Sequence, residues 1–133
     1  MATVSGMETA AIIAALLMGV VAVFQIALAL GAPAGYAAWG GWHEGVLPTR
    51  LRVASGVVGL GVYPALIVFV LATAGVIDAN WVPGTGKLGM WILTGLFTLG
   101  TLANFASRSK RERWWGFVSL TIAICCAVVA LSL

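Results

Sequence analysis

Charge is scarce in this sequence. Only 8% of its 133 residues are Asp, Glu, Lys or Arg, and between Glu8 and His43 no side chain ionises except that of Tyr36. Soluble domains carry about 25% charge, and at ~150 residues they still leave about 30% of their unfolded surface in water. So apolar a chain could not hide its hydrocarbon in one small core. Histidine occurs once, at position 43, too few for the three or four ligands of a usual zinc site. Cysteine occurs twice, as the neighbours Cys125 and Cys126. Adjacent residues on a helix point about 100° apart, and no C-x-x-C spacing exists. A four-helix quinone-linked thiol oxidoreductase is thereby excluded, and both thiols read as small buried apolar groups. No Lys or Arg precedes Arg50. The Ala32-Pro33-Ala34 segment mimics a signal-peptide cleavage site, but the run before it lacks a basic n-region and is longer than an h-region. It reads as a transmembrane helix.

What the chain does have is hydrocarbon: 62% hydrophobic residues and a mean hydropathy of +1.08. Four apolar runs stand out, at 9–30, 53–76, 88–106 and 114–131. About 20 residues at 1.5 Å rise cross a hydrocarbon core of roughly 30 Å. In lipid the backbone must satisfy itself within each segment, and the alternation of a barrel strand is missing. The expected fold is therefore all-α: a polytopic membrane protein, residues 1–133 forming one transmembrane four-helix domain with a long first loop at the cytoplasmic interface.

The net charge of +3 and pI near 9.3 fit membrane orientation better than nucleic-acid binding, because the charge sits between the apolar runs. Arg50 and Arg52 fall in the first loop, Arg108, Lys110, Arg111 and Arg113 in the third, and Lys87 alone in the second. Six of the seven basic residues thus share one side. The positive-inside rule puts that side in the cytoplasm and both termini outside.

Small residues recur four apart at Ala11, Ala15 and Gly19, at Ser55 and Gly59, at Gly61 and Ala65, and at Ser119, Ala123 and Ala127. Such stripes let helix backbones approach closely, within the bundle or between copies in a homo-oligomer. Pro64 should kink the second helix by removing a bond to the Leu60 carbonyl. Thr94, Thr98, Thr101 and Asn104 share one side of the third helix. Threonine can satisfy itself one turn back, but Asn104 and Gln25 need partners: each other, or a cavity.

The densest chemistry lies in the first loop, GAPAGYAAWGGWHEGVLPTRLR. Tyr36, Trp39 and Trp42 suit the headgroup region, Gly40-Gly41 a sharp turn, and Pro48 the opening of the second helix. His43, the only imidazole in the chain, stands beside the carboxylate of Glu44.

Two segments, AAWGGWHEGVLPTRLRVASG and NFASRSKRERWWGFVS, resemble an uncharacterised family of small four-helix bacterial integral membrane proteins. The resemblance spans most of the chain and implies a topology and a bacterial plasma membrane, but no activity. The chain is also similar in size to the small multidrug-resistance transporters. Their essential carboxylate lies inside the first helix, whereas Glu8 here sits at its edge, which argues against their mechanism.

The expected site is a cytoplasm-facing pocket of Arg50, Arg52, Asn104 and Arg113, with His43 and Glu44 at its rim, Gln25 nearby, and Ser107, Ser109 and Glu112 on the same face. Surplus arginine suits an amphipathic or anionic ligand, which the protein is expected to bind or transport through that pocket. Snorkelling of those arginines to lipid phosphates is the rival account. A membrane-embedded enzyme using His43 with Glu44 or Glu112, and an accessory subunit of a larger membrane complex, are the alternatives. Membrane lipid and a homo-oligomer or complex partner are expected; the sequence specifies no cofactor.

Overall fold

The computed structural model describes residues 2–78 and 86–133. Those residues form four helices long and apolar enough to cross a membrane, with no strand among them. We label them α1 (Ala2–Ala29), α2 (Thr49–Thr73), α3 (Gly86–Phe105) and α4 (Lys110–Ser132). The fold is an all-α four-helix membrane protein. Its outer surface is hydrocarbon: Leu16, Val23, Leu60, Leu99 and Leu131 are 64 to 72% exposed. In water such a surface would aggregate, whereas in a bilayer it is the solvated face.

The helices begin earlier than the apolar runs suggest. α2 starts at Thr49, directly after Pro48, so Arg50 and Arg52 lie in its first turn rather than in a loop. α4 starts at Lys110, placing Arg111, Glu112 and Arg113 on the helix. Its N-cap is Ser109, whose hydroxyl accepts the Glu112 N–H at 3.2 Å. The S-K-R-E spacing is that of a capping box. Here, however, the Ser109 N–H donates to the Ser107 hydroxyl at 3.1 Å, which leaves the Glu112 carboxylate for another use.

Pro64 directly follows a change in the helical ladder. Just before it, Val58–Val62 widens into a π turn, and the Tyr63 N–H reaches the carbonyl of Val58, five residues back. A single wide turn adjusts the ladder where proline cannot donate.

α3 and α4 pack along their length, α1 packs on α4 and α2, and α2 meets α3 only thinly. The main core joins Ala11, Ala14 and Met18 of α1 to Met90, Leu93, Ile122, Cys126 and Val129. The tightly packed face of α1 is therefore Ala11, Ala14 and Met18 rather than the full Ala11-Ala15-Gly19 stripe; a side chain at Gly19 would meet nothing within 4 Å. Gly59 is a true close approach, since a Cβ there would come within 2.8 Å of the Ala22 carbonyl oxygen. Gly61 and Ala65 face outward. Cys125 and Cys126 are free and buried. Thr94, Thr98 and Thr101 each donate to the carbonyl four residues back, at 2.7 to 2.8 Å.

Candidate functional site

The first loop folds onto one end of the bundle. Two short 3-10 turns, Gly35–Ala37 and Trp39–Gly41, carry it inward. The Gly35 N–H donates to the Gly45 carbonyl at 2.9 Å, closing the loop on itself. Ala38 and Leu47 are buried against Leu28, with Phe24 and Leu51 around them. Gly41 lies at φ +73, and a Cβ there would come within 2.6 Å of that of Ser109; only glycine suits both conditions.

Three bonds fasten the loop to the helices. The Gly40 N–H donates to the Glu112 carboxylate at 2.9 Å. The Ser109 hydroxyl donates to the Tyr36 carbonyl. The Trp39 indole N–H donates to the Ser55 hydroxyl of α2 at 3.0 Å. Trp39 holds φ +51, the only positive value at a non-glycine among the described residues. A bulky residue rarely adopts that region unless its surroundings enforce it. The outcome is an indole turned toward the bundle.

Beneath the loop lies a cavity of about 230 Å³ to which all four helices contribute. α1 supplies Val21, Phe24 and Gln25, and the loop supplies Ala37, Ala38 and Trp39. From α2 come Val58 and Tyr63, from α3 Asn104, and from α4 Glu112, Trp115, Ser119 and Ile122. Phe24 and Trp115 form an aromatic wall, their ring centroids 4.9 Å apart. Asn104 donates its amide to the Ser119 hydroxyl at 3.2 Å. Gln25 Oε1 is buried and has no hydrogen-bond partner. Leaving an acceptor so placed costs on the order of 1–3 kcal/mol.

Of the expected site residues, the cavity gathers Gln25, Asn104 and Glu112, while Arg50, Arg52, Arg113, His43, Glu44, Ser107 and Ser109 do not line it. Gln25 and Asn104 do not bond to each other. Arg50 is exposed on the first turn of α2. Arg52 donates through Nε to the carbonyl of Ala29 at 3.1 Å, capping the C-terminal end of α1, where a cation is favoured. Arg113 donates to the carbonyls of Ser107 at 2.9 Å and Arg108 at 3.4 Å. Arg108 stacks 4.2 Å over Trp42, and Arg111 lies 5.9 Å from the Tyr36 ring, both within cation–π range. His43 is half-buried and Glu44 exposed, both outside the cavity wall. Arg52, Arg108, Arg111 and Arg113 thus meet backbone carbonyls or aromatic rings rather than converging on one point.

Tyr63, Trp115 and Ser119 are cavity residues that hydropathy reading passes over. Glu112 reads from sequence as a companion of the arginines, yet its carboxylate points to Gly40. Among the described residues no group of three His, Cys, Asp or Glu side chains could hold a metal ion. Compared with protein families, curated proteins and solved structures, the chain matches none.

Proposed function

We propose that this protein binds an amphipathic ligand in the cavity between its four helices and beneath its first loop. The observation that carries the reading is Gln25 Oε1, a buried acceptor without a partner on the wall of a cavity large enough for a head group. Polar groups inside a membrane are expensive, and those that face a cavity rather than a neighbouring helix mark candidate ligand sites. Aromatic walls beside a few convergent polar atoms are the usual make-up of a small-molecule site.

The charge asymmetry supports placing the loop and cavity end in the cytoplasm, with both termini outside. A bacterial plasma membrane is what the resemblance of the two loop segments implies. Transport, rather than binding alone, would require the cavity to open to the other side as well. The anionic alternative rested on arginines, and none of them lines this cavity. No observation here favours the enzyme or accessory-subunit readings.

The test is binding itself. In lipid nanodiscs, a single-chain amphiphile bearing a fluorescence quencher should quench Trp39 and Trp115 in a saturable manner. Val21→Phe, which narrows the cavity from α1, should remove the saturable part while leaving the fold intact. Quenching that rises without saturation, equally in both proteins, would mean that the probe only partitions into lipid.

A further inference from the structure

The cavity continues sideways. Val58, Tyr63, Asn104 and Ser119 line it and also line a second hollow of about 350 Å³ between α2 and α3. The rest of that hollow is hydrocarbon, with Val62 and Leu66 on one side and Leu93 and Leu96 on the other. It lies between α2 and α3, which touch only thinly. Val62 is 44% and Leu96 57% exposed, so the hollow is open toward the lipid.

The polar end has a sign. Glu112 is the only residue with a formal charge on the cavity wall, and no Lys or Arg accompanies it there. Gln25 offers an unpartnered oxygen. Asn104 uses one N–H on Ser119, which leaves its carbonyl oxygen and its second N–H. These oxygens accept hydrogen bonds; the amide N–H groups and the hydroxyls of Tyr63 and Ser119 beside them can donate, so the sign of the end comes from Glu112. An anionic head would meet a carboxylate with no compensating cation, an expensive arrangement in a low-dielectric site. A head with O–H or N–H groups would satisfy the acceptors.

Resting on the cavity being a ligand site, we propose that it takes a single-chain amphiphile whose head donates hydrogen bonds and carries no negative charge. The head occupies the cavity, and the chain lies in the α2–α3 hollow, entering from the bilayer. Charge complementarity selects the head, and the hydrocarbon lining selects the chain.

The experiment displaces the saturable quencher from nanodisc-embedded protein with three probes of equal chain length: monolauroylglycerol, dodecylammonium and dodecyl sulfate. The first two should displace it at concentrations about tenfold or more below the third, the equivalent of one lost hydrogen bond or more. Gly100→Leu should fill the hollow, because a Cβ there meets only the Ser119 hydroxyl, at 3.8 Å. It should weaken monolauroylglycerol by about tenfold, a loss of roughly 1.4 kcal/mol. Leu96→Phe, at an exposed position on the same hollow, repeats the measurement if Gly100→Leu lowers thermal stability. Equal or better displacement by dodecyl sulfate overturns the head-group assignment while leaving a ligand site in place. Unchanged affinity in both hollow-filling variants overturns the chain placement. No saturable quenching at all removes the site itself.

Discussion

The backbone N–H of Gly40 donates to the side-chain carboxylate of Glu112 at 2.9 Å, across 72 positions of sequence. This bond joins the tip of the first loop to the first turn of α4 and sets the loop over the cavity. Glu112 is 9% exposed, so its acceptor is largely shielded from competing water. Glu112→Ala should expose the loop amides to hydrogen exchange and lower stability by about 1–3 kcal/mol. Glu112→Gln keeps an acceptor for Gly40 and should retain most of that protection. Equal exchange at Gly40 in all three proteins would show that the loop is held by its other contacts.

Gly41 and Gly45 make a matched pair for testing the loop's shape. Gly41→Ala would drive a methyl toward Ser109 from a φ of +73, whereas a Cβ at Gly45 meets nothing within 4 Å. The expected outcome in detergent melts is a loss of about 1–3 kcal/mol for Gly41→Ala and little change for Gly45→Ala. Parity between them would mean that the loop relaxes freely.

Gln25→Leu separates stability from binding. Removing an unpartnered buried acceptor should leave the empty protein as stable or raise its melting temperature, an effect of about 1 kcal/mol. The same change should weaken binding of a donor-bearing amphiphile. A drop in both would make Gln25 an ordinary structural residue. Arg52→Ala is the counterpart. It removes the cap on the Ala29 carbonyl, and should cost about 1 kcal/mol of stability without altering ligand affinity.

Orientation is checked with single cysteines in a Cys125→Ala, Cys126→Ala background. Glu44 and Asp78 are both exposed and lie at opposite ends of α2. Cysteine at position 78 should react with an impermeant reagent added to intact cells, and cysteine at position 44 should not. The reverse pattern would invert the topology.

The number of helices follows from sequence because apolar runs of spanning length leave no other solution in lipid. Their ends do not follow from hydropathy, whose averages ignore backbone capping, although Pro48 does mark the start of α2. Arg50, Arg52 and Lys110 to Arg113 look like loop residues, yet they occupy first turns opened by Pro48 and Ser109. The S-K-R-E spacing would have moved the start of α4 back to Lys110. Gln25 and Asn104 stand out in sequence, since amides are rare in such spans. What the arginines face cannot be read there: the same basic pattern serves an anion, a lipid phosphate, a helix C-terminus or an indole. Nor does one sequence pair Trp39 with Ser55 or Gly40 with Glu112, contacts that exist only once the loop has folded back.

The π turn at Val58–Val62 amounts to an insertion within α2. Wound as continuous α-helix, the same residues would place everything beyond the turn about 100° further round. Ser55, on the near side, would still receive the Trp39 indole, while Tyr63, on the far side, would swing off the cavity wall. The two ends of α2 are thus geared to different tasks, the first anchoring the loop and the second bordering the seam. The extra residue sets the phase between them.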